Sequence, residues 1–148
     1  MMTLTGGAKD TTAPILLSVS EKQTKIAHEV HFVFNEHIQF NNWENNFYIS
    51  PPLNKKSGEK INGKTLILSI NDSLINNITY HLSLSNCIKD LNEGNIIDSL
   101  SFVFGSTNYF DTLTLSGNVQ DAYSLESIKN AWVMLYDKNK NDTIIFKG

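Results

Sequence analysis

Apolar and polar residues alternate with a period of two along most of this chain. Ile26, His28, Val30, Phe32 and Phe34 alternate with mostly polar neighbours, and Leu66, Leu68 and Ile70 do the same. The clearest run sets Ile78, Tyr80, Leu82 and Leu84 against Thr79, His81, Ser83 and Ser85. Leu100, Phe102 and Phe104 follow. In a strand, alternate side chains point to one sheet face, so this pattern buries one face and wets the other. Antiparallel sandwiches have that character.

Turn signals separate the runs. Asn62-Gly63 reads as the tight turn of a hairpin between a strand near Glu59–Ile61 and the run Lys64–Ile70. Pro51-Pro52 ends the run Phe47–Ser50, because proline cannot donate to a sheet ladder. Ile88–Leu91 reads as a loop or short helical turn, ended by Glu93-Gly94-Asn95. The 18 asparagines cluster at Asn41-Asn42, Asn45-Asn46, Asn76-Asn77 and 139–141. Asparagine tolerates the left-handed backbone of tight turns, so many turns and short strands are expected.

Strands are placed near 14–20, 26–34, 46–50, 58–61, 64–70, 78–86 and 100–105. This predicts an all-β fold, a seven-stranded immunoglobulin-like β-sandwich. The expected organisation is a linker over 1–11, the sandwich over 12–106, and a partial second β unit over 107–148. The tail continues with Leu113, Leu115 and Val119, then Ala131–Tyr136, then Thr143–Phe146. Ala131–Tyr136 is apolar on both faces and wants cover on both.

Composition narrows the function. With 41% hydrophobic and 18% charged residues, 148 residues can build a packed core. A net charge of -3 argues against nucleic acid, which needs clustered Lys and Arg. No stretch approaches the roughly 18 apolar residues of a membrane-spanning helix. The one cysteine, Cys87, cannot form an intrachain disulfide and reads as buried apolar filler. The start of the chain shows no signal peptide, which fits either a cytoplasmic protein or numbering that starts after a removed signal; Met1-Met2 reads as an added start and favours the second.

The sequence marks no catalytic, cofactor or metal site. His28 and His31 stand three apart on a strand and point to opposite faces; His37 and His81 complete the histidines. Asp90, Asn92, Glu93 and Asn95 resemble the start of a calcium loop, but the later ligands are missing and a structural turn is the stronger reading. No nucleophile elbow, phosphate loop or zinc-protease motif occurs, so the chain reads as non-enzymatic.

Several segments, in order, resemble a known family. They are Gly6–Asp10 with Pro14, Val30–Glu36, Ile49–Pro52, Asp72-Ser73-Leu74 with Thr79-Tyr80, Lys89–Asn95 and Phe102–Phe104. The series resembles the bacterial Ig-like domain (SbsA-type) of Bacteroidota surface lipoproteins, over residues 6–106. Leu115–Val119 with Ala131–Asp137 resembles the opening strands of a carboxypeptidase-regulatory-like or Cna-B-like sandwich. Ala8 stands where the family has proline, and its lipid-bearing cysteine is absent. The resemblance implies an exported, lipid-anchored, non-catalytic module of the outer membrane or cell surface.

Two sets of residues are candidates for contact or modification. Trp43, Tyr48, Tyr109 and Tyr123 lie in or beside loops, where aromatics stack on sugars or anchor a protein partner. A protein partner is the main expectation and a glycan the alternative. Asp followed by Ser or Thr recurs at Thr11, Ser73, Ser99, Thr112 and Thr143, a pattern that resembles the O-glycosylation acceptor of exported Bacteroidota proteins. The same dipeptide also opens strands and caps turns.

Overall fold

A computed structural model describes residues 8–23, 27–106, 110–129, 131, 133–136 and 145–147. The chain divides into two compact units: Met1–Tyr48, Asn54–Ser73 and Ser83–Ser101 in one, Ile49–Leu53, Leu74–Leu82 and Phe102–Gly148 in the other.

The first unit is organised by a four-stranded sheet. Its strands are β1 (Leu16–Gln23), β2 (His28–Phe34), β5 (Gly58–Asn62) and β6 (Thr65–Ile70), ordered β1-β2-β6-β5 with every pairing antiparallel. The alternation read from sequence becomes a set of directly opposed pairs. Val30 faces Leu68 and Phe32 faces Leu66, and all four are 0% exposed. Such cross-strand pairs stabilise a sheet through side-chain packing. Fully burying one aliphatic or aromatic side chain contributes about 1.5–3 kcal/mol. Each strand keeps its other face wetter because the side-chain period is two.

β5 and β6 form a tight hairpin, one residue out of step with the sequence reading. The paired residues Asn62 and Thr65 close a two-residue turn of Gly63 and Lys64. Gly63 has φ +61° and Lys64 is not among the left-handed residues. That is the pattern of a turn with glycine first, not of the Asn-Gly type. Asn62 instead belongs to the ladder.

Two short strands escaped the sequence pattern. β3 (Ile38–Phe40) pairs antiparallel with β8 (Ile88–Asp90), so Ile88–Asp90 is a strand and not a loop or helical turn. Three residues give too little periodicity to read. Asp90 also takes a buried position in alternation with Ile88. One helical turn, α1 (Trp43–Asn46), follows β3.

Most residues of β4 (Tyr48–Ser50), β7 (Thr79–Ser83) and β9 (Ser101–Gly105) belong to the second unit, and the three strands form a sheet of order β4-β7-β9. Tyr80, Leu82 and Phe104 are buried there, and the Tyr80 and Phe104 rings stack at 5.3 Å. With β3 and β8 set aside, the strands are first, second, fifth and fourth in one sheet, and third, sixth and seventh in the other. Those are the strand orders of an immunoglobulin-like sandwich. A second mark of that fold is present: the hydroxyl of Tyr80, near the start of β7, accepts the backbone N–H of Ile75 at 3.2 Å.

Residues 110–119 carry no strand, although Leu113, Leu115 and Val119 suggested one. A single bridge joins Gln120 and Ser127, closed by Asp121, whose carboxylate accepts N–H bonds from Tyr123 and Ser124. Further on, β10 (Met134–Tyr136) pairs antiparallel with β11 (Ile145–Lys147). Part of the expected strand 143–146 lies outside the described residues.

Candidate functional site

Trp43 is only 8% exposed. It stacks on Phe47 at 4.4 Å and meets Phe40 edge-on at 4.9 Å. Such aromatic pairs add about 0.5–1.5 kcal/mol beyond area burial, so Trp43 anchors the α1 loop. Tyr48 is half-buried, and its hydroxyl donates to the carbonyl of Asn45. Tyr123 is 99% exposed at the 121–125 turn. Tyr109 lies outside the described residues.

The asparagines around α1 fix its geometry. Asn42 stands at the N-cap position with φ 43° and no side-chain cap bond, and Asn86 takes φ 59°. The side-chain amides of Asn41 and Asn46 both donate to the Asn86 carbonyl, at 2.9 and 3.1 Å. The sequence marks Asn41-Asn42 and Asn45-Asn46 as turns but places Asn86 at the end of a strand over 78–86, whereas β7 stops at Ser83 and Asn86 turns with a left-handed backbone. Nothing local encodes a pairing across 40 or more residues.

Asp90 closes its own turn. Its carboxylate accepts the backbone N–H groups of Glu93, Gly94 and Asn95 at 2.6, 2.8 and 2.8 Å. Burial by itself raises the Asp90 carboxyl, but these amides outweigh it and hold it below its ordinary value. Both oxygens are engaged with the turn. No group of three His, Cys, Asp or Glu side chains among the described residues is placed to hold a metal ion.

His28 lies on the buried face of β2, with Nε2 2.8 Å from Glu21 Oε2. His31 is on the other face, 3.1 Å from Glu29. Cys87 is fully buried, and burial pushes its thiol up to about 12. A thiol so poorly ionised at neutral pH is a weak nucleophile.

Of the hydroxyl residues that follow aspartate, Thr11, Ser73, Ser99 and Thr112 are exposed, and Thr143 lies outside the described residues. Three of the aspartates also cap their own turns. Asp10 accepts the N–H of Thr12, Asp72 that of Ser73, and Asp111 that of Leu113. Capping and exposure coexist at these positions.

The remaining feature is an edge. β1 ends the four-stranded sheet, and its register with β2 shifts between Leu16 and Ser18, leaving Leu17 as the extra residue of a bulge. Ile15 and Leu17 are 54% and 63% exposed. Sequence alternation gave no hint of this, since a bulge breaks the period that carries the signal.

The family described as bacterial Ig-like domain matches residues 10–107. No curated protein and no solved structure matches the chain.

Proposed function

Because the chain belongs to the bacterial Ig-like domain family, we propose that it is a non-catalytic cell-surface module that contacts a protein partner through the edge strand β1. Domains of this family are generally non-catalytic and typically extracellular. The observation that carries the contact is Leu17, an apolar residue 63% exposed at a bulge on a sheet edge. Edge strands offer backbone groups to a further strand, and proteins that avoid such pairing place charges or proline there. Leu17 does neither. A glycan platform has less support, with Trp43 packed between Phe40 and Phe47.

The resemblance to surface lipoproteins extends the proposal to export and lipid anchoring at the outer membrane, with Thr11, Ser73, Ser99 and Thr112 as exposed O-glycan acceptors. Residues 107–148 are assigned to a second β unit, in keeping with the exposed Leu113 and Leu115 and the β10–β11 pair. The test is purification of the tagged protein from solubilised outer membranes after mild cross-linking. One protein co-purifying at near-equal amount, and an intact mass above that of the sequence, are expected. The absence of any stoichiometric partner overturns the scaffold reading, and an unmodified mass overturns the glycan acceptors.

A further inference from the structure

We draw no further inference here: the strongest candidate, the exposed apolar run of Leu113, Leu115, Tyr123 and Leu125 in the second unit, carries nothing because no feature of the structure shows what covers it.

Discussion

Tyr80 and Ile75 are tied by a hydrogen bond in which the tyrosine hydroxyl accepts a backbone N–H five residues upstream. Around it, the Ser106 hydroxyl donates to the Ile75 carbonyl and accepts the N–H of Asn77, which has φ 59°. Three hydrogen bonds made by two side chains thus fix the corner that precedes β7. Tyr80→Phe keeps the buried ring and removes only the acceptor. It is expected to cost about 1–2 kcal/mol, the usual loss for a part-buried hydrogen bond, in urea denaturation. Amide exchange at Ile75 should accelerate. Unchanged stability together with unchanged exchange contradicts the role given to this corner.

The Asp90 turn makes a second claim. Gly94 has φ +82°, and a Cβ built there meets nothing within 4 Å. Gly94→Ala therefore has only backbone strain to overcome and should cost about 1–2 kcal/mol, with no steric clash. Asp90→Ala removes the acceptor for three amides and should speed hydrogen exchange at Glu93, Gly94 and Asn95 together. Exchange that changes at one of them alone contradicts the shared-carboxylate geometry.

Acid stability follows from two opposed shifts. The amide of Asn54, with those of Lys55 and Ser73, holds the Asp72 carboxyl below its ordinary 3.8. Asp90 is held below 3.8 as well. Groups lowered by folding bind fewer protons in the native state. Their contribution is whole above 3.8 and is lost as pH falls below it.

Glu36 behaves in reverse. Burial first, then the charges of Asp90, Asp10 and Glu93, raise it above its ordinary 4.5. A raised carboxyl makes the native state bind more protons, so stability falls as pH rises from 4.5 through the native value. Urea midpoints measured across pH should fall on both sides of this region. Glu36→Gln should flatten the upper slope and leave the lower one. A variant that keeps the upper slope contradicts the assignment.

The core of the fold was legible in the sequence. Val30, Phe32, Phe34, Leu66, Leu68, Ile70, Tyr80, Leu82, Leu84 and Phe104 all alternate in sequence and are all buried. Strand alternation is a local signal, and one-sided burial writes it directly. What stayed hidden is either too short or non-local. β3 and β8 hold three residues each. The Asn62-Gly63 dipeptide signalled a turn correctly but not its register, because glycine serves first or second in different turns. Asn86 receiving two side-chain amides from α1, and the bulge at Leu17, depend on partners far away in sequence. Of the aromatics chosen for contact, Trp43 went inside because a loop tryptophan large enough to bind a ligand is also large enough to fill a small core. Sequence gives the size of such a ring, while neighbours such as Phe40 and Phe47 decide its use.

The edge-contact account is tested most directly by site-specific photo-cross-linking in cells. A photoreactive side chain is placed at Leu17 on β1, and in a separate variant at Lys60, an exposed residue on β5 at the opposite edge of the same sheet. Single replacements at exposed positions should change stability by only about 0.5 kcal/mol. The account predicts one discrete adduct from position 17 and none from position 60. No adduct at 17, or the same adducts from both positions, would contradict it.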